Sequence, residues 1–181
     1  MRKPTVEEPA GGKEAQPLAA RVFAALADGE FHSGEALAGE LGVSRGAVWK
    51  AVDSLRELGV TLQAVPNRGY RLRSGGDALD AERIKAFLPA GLRRHVRDVE
   101  TVWTVDSTNS VLLERPDPPL GVCEVFLAEY QTAGRGRRGR TWLAPPGGSI
   151  CLSLAWTFRE VPKDLSALGL AIGVCGLRAL K

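Results

Sequence analysis

Four arginines fall within seven residues in Gly134-Arg135-Gly136-Arg137-Arg138-Gly139-Arg140. Each guanidinium is permanently charged and presents a planar fork of donors that matches a phosphate or a carboxylate. The interleaved glycines let the backbone bend through conformations closed to other residues and approach a ligand closely. Adjacent cations repel one another unless an anion neutralises them, so a merely solvated turn fits the segment poorly. Polar groups able to hold a ligand flank it: Gln131 before it, Trp142 after it, and Asp106-Ser107-Thr108-Asn109 upstream.

Two familiar glycine-rich patterns do not fit this context. Gly134, Gly136 and Gly139 match the spacing G-x-G-x-x-G, which binds dinucleotides by leading from a strand into a helix N-terminus. Here the loop runs instead into Thr141-Trp142-Leu143-Ala144-Pro145-Pro146-Gly147-Gly148, a poor start for a helix. Arginine-glycine tracts that bind RNA are repetitive and disordered, whereas this is a single copy between two strand-like runs. Asp106 to Asn109 taken alone is a helix cap.

The elements that must position these residues follow from periodicity. Val96 to Val105 reads as a strand entering Asp106–Asn109, with a short helix through Leu112 and Leu113. Val122 to Ala128 is a second strand leading into the arginine loop. Ile150 to Phe158 is a third, with Ile150, Leu152, Leu154, Trp156 and Phe158 on one face and smaller residues on the other. Asp80 caps a helix over Ala81 to Phe87, and Leu165 to Leu180 reads as a buried helix.

The N-terminal part has a different pattern. Residues 1–17 lack periodicity and read as a disordered arm. Leu18 to Ala27 is helical in spacing, Ser33 caps a helix ended by Gly42, and Ser44 caps a third that stops at Gly59. Val48, Val52 and Leu55 share one face of that third helix, while Arg45, Trp49, Lys50 and Asp53 lie mostly on the other. Strand-like runs at Thr61–Val65 and Tyr70–Leu72 then flank the turn Pro66-Asn67-Arg68-Gly69. Together these make a winged helix-turn-helix. The domain division is a 1–17 arm, an 18–73 winged helix, a 74–80 linker, and a second, α+β domain over 81–181.

Composition bounds the rest. With 44% hydrophobic and 25% charged residues the chain is not globally disordered. The formal charge of +3 is modest and much of it sits in the arginine loop, so strong non-specific DNA affinity is not expected. Cys123, Cys151 and Cys175 lie far apart in largely apolar runs and read as buried thiols in a reducing compartment. With only His32 and His95 besides, no metal site is expected. The first residues do not read as a signal peptide, and no run reaches the roughly 20 apolar residues of a membrane span. A cytoplasmic protein is the expectation.

Taken together the segments resemble the biotin protein ligases, in particular the bifunctional type that carries an N-terminal DNA-binding domain and represses the biotin operon. The resemblance rests on Glu30-Phe31-His32-Ser33-Gly34-Glu35, on Val65-Pro66 with Gly69-Tyr70, on Asp106-Ser107-Thr108-Asn109, and above all on Ala128-Glu129-Tyr130-Gln131-Thr132-Ala133 followed by the arginine loop. It implies a winged helix followed by the first part of a mixed-sheet catalytic domain. It also implies biotin and ATP as substrates, with Mg2+ accompanying ATP, a biotinyl-5′-adenylate intermediate, and transfer to a lysine of a carboxyl carrier domain such as that of acetyl-CoA carboxylase. Operator DNA and a homodimer are the further partners implied.

By the family pattern Ser107, Thr108, Asn109, Gln131, Arg135, Gly136 and Arg137 line the biotin site, and Trp142 forms an apolar wall against the bicyclic ring. Short hydroxyl and amide groups suit the ureido carbonyl and its N–H donors. Arg137, Arg138 and Arg140 are the candidates for neutralising phosphate charge and retaining the reactive adenylate. Ser44, Arg45, Trp49, Lys50 and Arg68 are the candidates for contacting DNA. The family continues past this last helix into a Lys-Trp-Pro-Asn-Asp segment whose lysine contacts ligand, so the chain reads as the N-terminal part of a longer ligase. Neither Lys163 nor Lys181 inherits that role. A non-enzymatic regulator sensing biotin or its adenylate, and a lipoate-type ligase, are the competing readings.

Overall fold

A computed structural model of the chain describes residues 16–73, 77–160 and 162–179, with the side chains of Arg137, Leu165 and Ser166 outside the described set. Of the expected 1–17 arm, residues 1–15 lie outside it, as does Lys181.

The N-terminal helices are α1 (Leu18–Ala25), α2 (Gly34–Leu41) and α3 (Arg45–Glu57). Their starts are set by side chains: Ser33 accepts the Ala36 N–H and Ser44 accepts the Ala47 N–H, satisfying donors that a first helical turn otherwise leaves bare. Gly42 closes α2 in the left-handed conformation at φ 66°. Val22, Phe23, Leu26, Leu37, Val48, Val52 and Leu55 converge as a buried core, so the apolar face expected of α3 is the packed one. The wing is a hairpin of β1 (Leu62–Val65) and β2 (Gly69–Leu72), paired Leu62 to Leu72 through Val65 to Gly69. A Cβ on Gly69, whose φ is 99°, would run into the His32 carbonyl oxygen. Glycine there lets Tyr70 exchange two backbone hydrogen bonds with His32, at 2.9 Å each, and seats the wing on the helices.

The second part contains α4 (Ala81–Phe87), capped by Asp80 as expected, and α5 (Ala90–Arg93), a short helix after Pro89 that periodicity does not reveal. The sheet follows, with β3 (Val96–Val105), α6 (Thr108–Leu113), β4 (Cys123–Gln131) and β5 (Cys151–Trp156). Strand order is β3-β4-β5, the first pair parallel and the second antiparallel. The mixed sheet and its helices agree with the α+β expectation. Strand β4 runs three residues past the expected end at Ala128, because Thr104 pairs with Tyr130 and Val105 with Gln131. On one face Val111 and Leu112 of α6 cover Val102, Phe126, Ala128 and Cys151. On the other, Trp103 packs against the winged-helix core, its ring 5.5 Å from that of Phe23.

Two expectations are corrected. Helix α7 (Leu165–Ala179) forms, but it is not buried: Leu170, Ile172, Val174 and Leu177 are exposed, because no other described element packs closely over them. Of the cysteines only Cys151 is buried; Cys123 is half-buried and Cys175 lies exposed on α7. An apolar neighbourhood in sequence buries a thiol only where another element covers it.

Candidate anion and polar-ligand site at the ends of β3 and β4

Strands β3 and β4 are parallel, so their C-terminal ends lie side by side and bring Asp106–Asn109 against Gln131. Thr132 and Ala133 donate backbone hydrogen bonds to Val105 and Asp106, both at 2.9 Å, which fixes this juxtaposition. Thr108 donates its backbone N–H to Gln131 Oε1 at 2.8 Å and its hydroxyl to the same oxygen at 3.2 Å. The Thr108 hydroxyl also pairs with Ser153 Oγ at 2.8 Å, and with its proton given to Gln131 the donor in that pair is Ser153. Gln131 is thereby held by its carbonyl end. Its amide nitrogen lies beside Gly134, where a Cβ would sit 3.3 Å from Nε2, and so faces the arginine loop as a donor.

Ser107 and Thr108 are buried at 6% and 3% exposure. Ser107 occupies the N-cap position of α6 but makes no side-chain capping hydrogen bond. The cap expected from sequence alone is therefore not what its hydroxyl does. Asn109 is exposed, and Gln131 and Gly136 are half-buried.

The arginine loop is a closed, ordered turn. Trp142 donates its N–H to the Gly134 carbonyl at 2.8 Å and Gly136 to the Arg140 carbonyl at 2.6 Å, with Arg135 and Thr141 bridged between them. A Cβ on Gly134 would meet the Trp142 carbonyl at 2.5 Å, so only glycine permits this closure. At its tip Arg138 takes a left-handed backbone, φ 60° and ψ 38°, followed by Gly139 at φ 71°. Arg135 reaches back to donate to Ser110 Oγ at 3.1 Å on α6, tying the loop to the helix that carries Thr108. Arg138 and Arg140 are exposed. Among the described residues no carboxylate pairs with Arg135, Arg138 or Arg140, whereas elsewhere Arg115 pairs with Glu100, Arg97 with Glu124 and Arg83 with Asp77. The result is a polar slot of hydroxyl and amide groups beside a patch of uncompensated positive charge. Trp142 lies at its margin, 53% exposed, and the Arg137 side chain is outside the described set.

Sequence reasoning missed three residues here. Ser153 was recoverable as a small inward residue on β5, but its partner Thr108 emerges only from strand order. Ser110 carried no signal. Glu129 is a charged side chain buried to 7% exposure; burial raises its pKa, against the backbone N–H of Leu79, which donates to Oε1 and favours the charged form. Among the described residues no group of three His, Cys, Asp or Glu side chains could hold a metal ion, and no helix is long and apolar enough to cross a membrane.

A second surface lies on the N-terminal part. Arg45, Trp49 and Lys50 are exposed along α3, Trp49 to 55%. The Ser44 hydroxyl accepts the cap bond at 3.1 Å and keeps its own proton for a further acceptor. In the wing, Arg68 and Arg71 stack on the Phe31 ring at 4.3 and 4.5 Å.

The chain thus joins a helix-turn-helix with a wing to a mixed sheet whose strand ends carry an amide, hydroxyls and an arginine loop. Residues 21–71 match the HTH domain model and residues 103–181 match the Biotin/lipoate A/B protein ligase family model. The chain is 42% identical over 156 residues to the Bifunctional ligase/repressor BirA of Salmonella typhimurium, covering 86% of this chain and 47% of that protein. To BirA of Escherichia coli it is 40% identical over 161 residues, covering 89% of this chain and 48% of the relative. A Biotin--[acetyl-CoA-carboxylase] ligase of Mycobacterium tuberculosis is 40% identical over 83 residues, 45% of this chain and 31% of that protein. The chain thus spans about half the length of the BirA proteins it matches.

Proposed function

We propose that the chain is the DNA-binding and first catalytic portion of a bifunctional biotin protein ligase and repressor, divided into a winged helix over 18–73, a linker over 74–80 and ligase residues from 81 onward. The observation that carries this reading is the Gln131 amide, clamped through its carbonyl by Thr108 and turned as a donor toward the arginine loop. A ureido carbonyl accepts from that donor, and the Ser107 and Thr108 hydroxyls serve its N–H groups. Asn109, Arg135, Gly136 and Arg137 complete the ligand lining, and Trp142 closes over the ring system.

In the complete ligase the biotin carboxylate attacks the α-phosphorus of ATP and expels pyrophosphate. A carrier-domain lysine then attacks the acyl carbon, expelling AMP and releasing a proton. Bringing a carboxylate to a triphosphate requires neutralised charge, which Arg137, Arg138 and Arg140 supply from a preorganised turn. Mg2+ enters with ATP. The partners are a carboxyl carrier domain, operator DNA contacted by Ser44, Arg45, Trp49, Lys50 and Arg68, and a second copy of the protein, all in the cytoplasm. The remaining half of the longer ligase covers the apolar face of β5 and completes the site.

Incubation with biotin and ATP labelled on its α-phosphate tests the assignment, using this chain beside a version extended to the length of its relatives. Labelled biotinyl-adenylate from the extended protein supports it. Biotin binding without turnover in both versions gives a sensor instead. In the extended protein Arg137→Gly speeds adenylate release and lets it acylate nearby lysines; unchanged release would remove that role from Arg137.

A further inference from the structure

The inward face of β5 is built from small residues. Cys151 is buried in the core beneath α6 and Ala155 packs against that core, while Leu152, Leu154 and Trp156 are exposed on the other face. Ser153 stands half-buried between the two inward residues, in register with Phe126 of β4. For packing alone alanine would serve as well there, and a hydroxyl set beside an apolar core is unfavourable unless it finds a partner. Ser153 finds one: its Oγ lies 2.8 Å from the Thr108 hydroxyl oxygen. That contact has no part in the chemistry above.

Counting protons gives the contact a direction. Gln131 Oε1 only accepts, and it takes the Thr108 backbone N–H at 2.8 Å and the Thr108 hydroxyl proton at 3.2 Å. The single hydroxyl proton of Thr108 is thereby committed, so Ser153 donates in the remaining pair. A hydroxyl oxygen carries one proton and two lone pairs. At Thr108 the proton points to Gln131 and one lone pair is held by Ser153, which leaves one lone pair as an acceptor. The bond to Gln131 is long for a hydroxyl donor, whereas the bond from Ser153 has the usual length. Ser153 is therefore the stronger of the two anchors that stop the hydroxyl from turning about its Cβ–Oγ bond.

We propose that Ser153 is a positioning residue: by donating to Thr108 it fixes that hydroxyl as an acceptor for an N–H group of the bound ligand. The role rests on the function proposed above, in which Thr108 serves a ureido N–H. It gives β5 a part in recognition beside β3 and β4. It also favours ligands that present N–H donors over those that present only acceptors, which would leave the Thr108 lone pair unmatched.

Two double-mutant cycles on the full chain test this, each built from Ser153→Ala, Thr108→Val and the double variant. Thr108→Val keeps the backbone N–H that holds Gln131. In urea unfolding without ligand, the two single losses in the folding equilibrium constant overlap by about three- to tenfold, the scale of one hydrogen bond. In calorimetric titration with biotinyl-5′-adenylate, Ser153→Ala weakens binding about threefold in the wild-type background and not at all in Thr108→Val. A merely structural role would not depend on the background in this way. Ser153→Thr keeps the hydroxyl, restores wild-type affinity, and guards against misfolding of the alanine variant. Strictly additive losses in urea mean that the two hydroxyls are not bonded, and overturn the proposal. Wild-type affinity in Ser153→Ala, or a loss that persists in the Thr108→Val background, overturns it as well while leaving the functional reading intact. If wild type binds no adenylate, the functional reading and the positioning role fall together, and the urea cycle still decides the hydrogen bond.

Discussion

At Arg138 the polypeptide does something arginine resists, adopting a left-handed backbone at the tip of a turn. That conformation costs about 1–2 kcal/mol for a residue with a Cβ, and glycine would remove the cost. Glycine would also raise the entropy of the unfolded chain by about 0.4–1 kcal/mol, so Arg138→Gly leaves stability to denaturant within about 1 kcal/mol of wild type. Affinity for biotinyl-5′-adenylate nevertheless falls about tenfold, the scale of one charge-assisted contact. A variant with both properties unchanged would make Arg138 a bystander. Glu129 gives a pH-dependent prediction. Burial raises its pKa above the ordinary glutamate value, so the folded state binds the proton more tightly than the unfolded chain. Its contribution to stability is therefore greatest below the unfolded pKa and declines as pH rises through the folded one. Glu129→Gln cannot titrate, so its stability relative to wild type rises with pH across that window, as denaturant midpoints measured at successive pH values will show. Ser107, Thr108, Gln131 and the loop were legible from residue type and spacing. Ser153, Ser110 and the buried state of Glu129 were not, because each depends on a partner brought near by strand order.

The helices begin where their caps say they do. Ser33, Ser44 and Asp80 each accept a backbone N–H three residues on, and for these starts local chemistry was sufficient. Ser44→Ala costs about 1 kcal/mol of stability, read as a lowered melting midpoint, and, on the DNA contact proposed for this hydroxyl, weakens operator binding further. If melting falls while operator affinity holds, the DNA role of Ser44 is lost and the cap remains. Gly69→Ala is more severe. Its Cβ would collide with the His32 carbonyl, so the wing must leave the helices, with the two His32–Tyr70 hydrogen bonds broken and a loss of roughly 2–3 kcal/mol by net hydrogen-bond energies. Urea unfolding measures this, and wild-type stability would show that the wing has another seat. Element ends set by pairing were harder to read. Glu129-Tyr130-Gln131 looks like the start of a loop, and joins β4 because β3 continues alongside it.

On the scale of the whole molecule, the winged helix and the sheet share a boundary at Phe23 and Trp103, while another surface has no cover among the described residues. Ile150, Leu152, Leu154, Trp156 and Phe158 are 43–69% exposed, on or beside an edge strand. The alternation of β5 was plain in the sequence, but alternation says which residues share a face and not what lies against it. The same limit applies to α7, whose apolar content suggested burial. A contiguous apolar surface beside an open strand edge promotes association. The chain by itself accordingly forms oligomers in sedimentation, and Leu154→Lys with Trp156→Lys returns it toward a monomer without lowering its melting midpoint. A monomeric wild type would mean that this face is covered by the chain itself. The central claim, that the ends of β3 and β4 with the arginine loop hold biotinyl-adenylate, is tested most directly by calorimetric titration of the chain with biotinyl-5′-adenylate and, separately, lipoyl-5′-adenylate. The predicted result is saturable binding of the biotinyl compound alone, weakened about tenfold in Gln131→Ala, the scale of a hydrogen bond lost in a buried site. Absence of saturable binding, equal binding of the lipoyl compound, or unchanged affinity in Gln131→Ala would contradict it.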